Sequence, residues 1–147
     1  MNLPDAVVKF CAEEVGRQKE PTKLVFNYLK AWEDAIELRK DLKWIHPEMI
    51  KKWGQLTEPE VNDGEWRYVP VFVGNHRKME AMMIPQAMKN LCNNLDTLDP
   101  ASAYKEFQDI HPFRNGNGRV GKIIFNWMKG TLNDPKMPPN FWGTENP

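Results

Sequence analysis

A histidine and a glycine-rich turn lie close together in residues 111–122, whose sequence is His-Pro-Phe-Arg-Asn-Gly-Asn-Gly-Arg-Val-Gly-Lys. The ordinary pKa of histidine is about 6.5, so His111 is mainly neutral at pH 7 and can act as a general base. The turn Gly116-Asn117-Gly118 precedes apolar residues at helical spacing, and the N–H groups at a helix start attract anions. Arg119 and Lys122 lie three residues apart on the first turn and can face one ligand. The segment therefore predicts a phosphate-binding loop with a base at its mouth.

The same segment resembles the signature of the Fic family, His-Pro-Phe-x-(Asp/Glu)-Gly-Asn-Gly-Arg-x-x-Arg. It departs from that signature at two positions, with Asn115 in place of the acidic residue and Lys122 in place of the second arginine. The resemblance covers roughly residues 10–130 and extends to the family's early long helix (25–38), its flap (64–76) and the helix after the flap (83–98). It implies a mainly α-helical, Fic-like bundle with one small β-hairpin.

The activity that the resemblance implies is protein adenylylation. AMP, or another nucleoside monophosphate, passes from a nucleoside triphosphate such as ATP to a Tyr, Thr or Ser hydroxyl of a target protein. In this mechanism His111 takes the hydroxyl proton, the oxygen attacks the α-phosphorus and pyrophosphate leaves. Main-chain N–H groups of Gly116, Asn117 and Gly118 hold the phosphates, and Arg119 pairs with a phosphate through its planar guanidinium.

The two departures change the expected ligands of the nucleotide. Asn115 stands at the position of the family's Mg²⁺ ligand, so the resemblance implies Mg²⁺ or Mn²⁺ at this residue. An amide oxygen brings no charge, and we expect it to bind the metal more weakly than a carboxylate does. Lys122 stands where the family's second arginine meets the γ-phosphate, and it keeps the charge while losing the bidentate geometry. A different nucleotide, or a different orientation of the nucleotide, stays open.

The flap and an inhibitory helix complete the expected site. In the flap, main-chain pairing would position the target segment along Val71, Val73, Gly74 and His76. Many family members restrain themselves with a helix bearing Ser/Thr-x-x-x-Glu-Gly/Asn, whose glutamate binds the second arginine. Glu14 is nearest to that place, although the residues around it, Phe10 and Val15, depart from the pattern. The alternatives are a solvated acid at Glu14, control by the C-terminal tail through Glu145, and a separate inhibitory partner.

The 147 residues are expected to form a single domain, with an N-terminal helix over 4–18, a core over about 21–130 and an extended tail over 131–147. Further helices are predicted to start at Pro21-Thr22, Pro47, Pro85 and Pro100. The second helix should bury Val25, Leu29, Trp32 and Ile36, the third should run to Trp53, and Gly130 should end the motif helix. Alternation predicts a strand over 66–73, a turn at Gly74-Asn75 and a second arm over 77–82.

Composition excludes some classes of partner. Twenty basic and twenty acidic residues cancel, so we expect no nucleic acid and no membrane as partner. No segment resembles a signal peptide or a membrane span, which favours a cytoplasmic protein with Cys11 and Cys92 as reduced, buried thiols. Two other functions stay open: a phosphotransferase of the wider superfamily, and a nucleotide- or partner-binding module that has lost turnover.

Overall fold

The computed structural model describes residues 2–17 and 22–141 of the chain. The described residues form six α-helices and one two-stranded antiparallel hairpin. In chain order the elements are α1 (Asp5–Arg17), α2 (Leu24–Arg39), α3 (Pro47–Thr57), β1 (Phe72–Val73), β2 (His76–Arg77), α4 (Ile84–Asn93), α5 (Pro100–Ile110) and α6 (Asn117–Lys129), with single 3-10 turns at Ala81–Met83 and Leu95–Thr97. The predicted helical bundle with one small hairpin is confirmed.

Helix α6 is the central element of the bundle. Every residue from Asn117 to Trp127 is buried, because α2, α3 and α5 all pack against this helix. Gly121 permits the close approach of α5, since a Cβ at this position would overlap the side chain of Gln108. The hydroxyl of Tyr28 on α2 donates to the carbonyl of Arg119 at 2.7 Å. The motif's basic residues are therefore carried by a helix that is fixed in the core.

Local sequence signals account for the helix boundaries around the motif. Asp99 caps α5 by accepting the N–H of Ser102 at 2.8 Å, and α5 begins at Pro100 as predicted. Gly130 ends α6 in the left-handed region, also as predicted. Helix α3 runs past its predicted end at Trp53 to Thr57. The predicted end of the first helix at Gln18 and the predicted start of the second at Pro21 lie outside the described residues.

The predicted apolar face of α2 packs against the core, and Trp32 is its fully buried member. The residues that α2 buries are Leu24, Tyr28, Ala31, Trp32 and Ala35. The larger apolar residues of the predicted stripe, Val25, Leu29 and Ile36, lie half-buried at its flank. The buried set also contains two small residues, Ala31 and Ala35. A pattern read from large apolar residues does not include them.

The hairpin is much shorter than the sequence predicts. Only Phe72–Val73 and His76–Arg77 form strands, with Phe72 opposite Arg77 and Val73 opposite His76. Before β1, Pro70 has no N–H to donate to a ladder. The amide of Arg67 donates instead to the carbonyl of Pro112 at 2.9 Å. The expected strand over 66–71 is therefore an irregular segment. It is bonded to the loop over residues 111–116 between α5 and α6, which we call the base loop. The second arm of the hairpin ends at Arg77.

The segment after α6 forms neither helix nor strand through residue 141. Buried Asn126 holds it to the bundle, with its side chain bonded to the Thr131 hydroxyl at 2.6 Å and to both backbone groups of Lys136. The prediction for Glu145 lies outside the described residues.

Both cysteines are free, as expected, with Cys11 buried and Cys92 partly buried. Burial raises the pKa of the Cys11 thiol, and it raises that of Cys92 to about 12. Both are therefore thiols at neutral pH, and neither is expected to act as a nucleophile. Among the helices described, none is long and apolar enough to span a bilayer.

Candidate active site

The backbone of His111 ends α5 in an unusual conformation. Its N–H still bonds to the carbonyl of Phe107 at 2.9 Å, while its φ of 53° and ψ of 62° lie in the left-handed region. Within residues 2–17 and 22–141 no other residue except glycine has a positive φ. Such a conformation costs free energy in a non-glycine residue, and functional sites often contain it. The left-handed conformation ends α5 at His111, the residue predicted to be the base.

Two side chains fix the loop between His111 and α6. Asn117 closes the loop by accepting the N–H of Phe113 and donating to its carbonyl, both at 2.9 Å. The ring of Phe113 packs against Trp66 and Phe107. A Cβ on Gly54 would overlap that ring, so glycine is required at this contact. The loop is held from both sides.

The environment of His111 keeps its imidazole neutral. The residue is 7% exposed. Burial lowers the pKa of His111 to about 4, and the positive charges of Lys78 and Arg67 contribute to the same shift. At pH 7 the side chain is therefore almost entirely in the unprotonated form that a general base requires.

The glycine-rich turn opens α6 in the way the sequence predicts. Gly116 is the N-cap residue with a φ of 85°, and helix α6 starts at Asn117. The first N–H groups of a helix have no partner inside the helix and lie at the positive end of its dipole. Asn115 precedes this turn, and its Oδ1 accepts the N–H of Gly116 at 2.8 Å. The start of α6 therefore lies where the sequence predicts phosphate binding.

Lys122 forms a buried ion pair with Glu14. The distance between Lys122 Nζ and Glu14 Oε1 is 2.5 Å, and the two side chains are 0% and 1% exposed. Glu14 reaches this position from the last turn of α1, whose Phe10 packs against Trp32 of α2. The structure thus brings together the two residues that the sequence analysis paired, 108 residues apart in the chain.

Arg119 forms a second buried ion pair, which the sequence analysis missed. Its Nη2 lies 2.6 Å from Glu58 Oε2, and both side chains are buried. Glu58 is the C-cap residue of α3, and its Cγ would lie 3.3 Å from a Cβ on Gly116. The guanidinium that was predicted to meet a phosphate therefore meets a carboxylate at the edge of the anion site. Local sequence gives no signal for a pairing across 61 residues.

The flap residues named from the sequence lie around the short hairpin. Val71 and Val73 are half-buried, Gly74 makes the turn with a φ of 60°, and His76 is exposed. Arg67, a residue that the sequence analysis did not single out, connects this flap to the base loop. Its side chain donates to the carbonyl of His111 at 2.7 Å and to that of Met79 at 2.5 Å.

The family profile described as Fic/DOC matches residues 20–128, about three quarters of the chain. The chain belongs to the Fic/DOC family. Similar solved structures include a Fic family protein from Desulfovibrio desulfuricans G20, with a TM-score of 0.62, 19% identity, and coverage of 88% of this chain and 48% of that one. A Fic-domain-containing signalling protein from Bacteroides thetaiotaomicron VPI-5482 gives a TM-score of 0.63, 17% identity, and coverage of 73% and 47%. The chain spans about half the length of these structures. A search of curated protein sequences finds no significant match.

The metal expected from the Fic resemblance has one candidate ligand in this chain, Asn115. Its Oδ1 already accepts one N–H, and an amide oxygen has a second lone pair to offer. The described residues contain no group of three or more His, Cys, Asp or Glu that could hold a metal by themselves. Mg²⁺ commonly takes one or two protein ligands together with substrate phosphates and water. The site fits a metal that arrives with a nucleotide.

Proposed function

We propose that this Fic/DOC chain transfers AMP, or another nucleoside monophosphate, from a nucleoside triphosphate to a Tyr, Thr or Ser hydroxyl of a target protein. One observation carries the proposal: the neutral, nearly buried His111 at the end of α5, joined through a rigid loop to the anion-binding start of α6. Family membership supports a transferase of the Fic type. The preference for nucleotidyl transfer rests on Gly116-Asn117-Gly118, the form of the turn in the nucleotidyl-transferring signature.

Each part of the loop has a task in this reaction. The imidazole of His111 accepts the proton of the target hydroxyl as the oxygen attacks the α-phosphorus. The N–H groups of residues 117–119 stabilise the negative charge that develops on the phosphoryl oxygens. Asn115 would hold Mg²⁺ or Mn²⁺, which would screen the charge of the phosphates. The bond to pyrophosphate breaks as the bond to the target oxygen forms.

The ion pair between Glu14 and Lys122 supports a restrained state of this enzyme. An ammonium held at 2.5 Å by a buried carboxylate is not available to a γ-phosphate, and the carboxylate repels the phosphate chain. A nucleotide would then bind only in an unproductive pose until Glu14 moves. We therefore assign Glu14 the inhibitory role and Lys122 the γ-phosphate contact.

Transfer of label from ATP tests the proposal against its alternatives. The parent chain and its Glu14→Gly variant are incubated with α-labelled or γ-labelled ATP and Mg²⁺ or Mn²⁺. We expect the α-label on protein, whereas γ-label would indicate a phosphotransferase. Absence of both labels from both chains would contradict the proposal and leave a binding module.

His111→Ala in the Glu14→Gly background should then reduce labelling by about 10²–10⁴-fold, the usual effect of losing a general base. ATP binding and the melting temperature should stay close to those of the parent. His46→Asn is the matched control, because His46 is an exposed N-cap residue of α3 and asparagine is a good N-cap. Labelling by His111→Ala at the parent rate would exclude His111 as the base.

A further inference from the structure

Arg67 connects the two arms of the flap to the base loop. Its side chain donates to four main-chain carbonyls: His111 at 2.7 Å, Val69 at 2.9 Å, Met79 at 2.5 Å and Ile110 at 3.5 Å. Its own N–H donates to the carbonyl of Pro112 at 2.9 Å. Arg67 is buried, and its bonds to His111 and Ile110 are buried, while those to Val69 and Met79 are partly buried. Only the five fixed donors of a guanidinium can serve so many acceptors at once.

These acceptors belong to two parts of the site. Ile110 and His111 are the last residue of α5 and its C-cap, where carbonyls lack helix partners and attract a cation. Val69 precedes β1 and Met79 follows β2, so the other two bonds hold both arms of the hairpin. The side chain of Arg67 therefore fixes the flap relative to His111, the residue with the left-handed backbone.

We propose that Arg67 is a positioning residue that sets the distance between the flap and His111, so that a target segment paired with the flap presents its hydroxyl to the imidazole. The inference rests on the proposed role of His111 as the base. A misplacement of about 1 Å at a reacting centre can cost on the order of 10²-fold in rate, so a rigid connection between these two parts matters.

The charge of Arg67 has a second effect on the same imidazole. After burial, Lys78 and Arg67 are the charged groups that lower the pKa of His111. Burial also lowers the pKa of Arg67 itself, and Arg77 adds to this shift. The geometric and the electrostatic effects of Arg67 can be separated by substitution, because lysine keeps the positive charge but lacks the planar set of guanidinium donors.

The experiment compares Arg67→Lys, Arg67→Gln and Lys78→Gln, all in the Glu14→Gly background. The imidazole titration of His111 is followed by NMR, which is practical because the chain has three histidines. Hydrogen exchange of residues 71–79 reports on the flap. Automodification with α-labelled ATP gives kcat and the KM for ATP. Lys105→Gln removes an exposed charge from α5 and serves as the activity control.

Arg67→Lys should keep the low pKa of His111 but raise flap exchange about tenfold, as expected when hydrogen bonds are lost. Its kcat should fall about 10²-fold with an unchanged KM for ATP. Lys78→Gln should raise the pKa without changing flap exchange, and Arg67→Gln should show both effects. If Arg67→Gln fails to fold, Arg67→Lys still tests the inference. Parental flap exchange and kcat in a folded Arg67→Lys variant would overturn it.

The exchange and NMR measurements do not depend on turnover. An absence of α-label in the Glu14→Gly parent would count against the proposed function, while a change in flap exchange would still support the connection that Arg67 makes. Increased exchange with an unchanged kcat in an active chain would contradict the positioning role alone.

Discussion

Replacing Glu14 with glycine should activate the enzyme, and the neighbouring Glu13 provides a matched control. Both residues lie on α1, but the Glu13 side chain is 61% exposed and reaches Lys9 only at 4.0 Å, whereas Glu14 is buried against Lys122. Glycine in a helix costs up to about 1 kcal/mol relative to alanine in either place. The two variants therefore share the cost of placing glycine in a helix, and only Glu14→Gly also loses the buried ion pair.

The size of the effect follows from the burial of that pair. Removing one partner of a buried pair costs about 3–5 kcal/mol in stability. For a domain of this size we expect Glu14→Gly to melt on the order of 10 °C lower than Glu13→Gly. If the pair holds the site closed with a similar free energy, its loss raises the accessible fraction by roughly 10²–10⁴-fold. Activity should therefore rise while stability falls.

Automodification with α-labelled ATP, measured beside thermal melting, tests this reasoning. Glu14→Gln adds a variant that keeps the size and helix propensity of the side chain while removing the charge, and it should also be activated. Glu13→Gly should label at the parent rate. Equal labelling of the Glu14 and Glu13 variants would show that α1 does not restrain the site. Activation without loss of stability would show that the ion pair contributes little to folding.

Three further predictions follow from the geometry of the loop. Asn115→Asp should lower the Mg²⁺ concentration needed for half-maximal labelling, because a carboxylate replaces a neutral ligand; an unchanged Mg²⁺ titration would exclude contact with the metal. Glu58→Gln should tighten ATP binding about tenfold in calorimetry, because it removes a negative charge beside the predicted phosphate site. It should also lower the melting temperature, because it weakens the buried pair with Arg119. A Kd for ATP equal to that of the parent would contradict this prediction. The pKa of His111 lies below its ordinary value, at about 4, so the base should be about 90% neutral at pH 5, against about 3% for an unperturbed histidine. A pH–rate profile of kcat/KM that falls with an apparent pKa near 6.5 would show that His111 titrates normally.

The sequence predicts the loop well because its contacts are local. Asn117 bonds to a residue four positions away, and the boundaries of α5 and α6 follow from Asp99, Pro100 and Gly130. These signals act within one or two turns of chain, where residue type determines backbone conformation. The turn of the hairpin at Gly74 is predicted for the same reason.

Interactions across long stretches of chain account for what the sequence does not predict. Arg67 replaces part of the expected strand with bonds to a loop 44 residues away, and Glu58 meets Arg119 across 61 residues. Neither residue has a local pattern that distinguishes it from a solvated surface charge. The small buried residues of α2, Ala31 and Ala35, are not predicted because a stripe of large apolar residues does not include them. The partner of Glu14 was proposed only because a family pattern suggested where to look.

The position of Glu14 on α1 indicates how the site can open. Moving the whole helix would expose four buried side chains, Val7, Phe10, Cys11 and Val15, at about 1.5–3 kcal/mol for each large apolar one. Unwinding only the last turn, from Glu14 to Arg17, releases the same carboxylate, and among the side chains that the structure describes in this turn the buried apolar one is Val15. The difference of several kcal/mol favours local unwinding, since helix ends fray most readily. Unwinding the end of α1 is therefore the cheaper way to release Lys122 from Glu14.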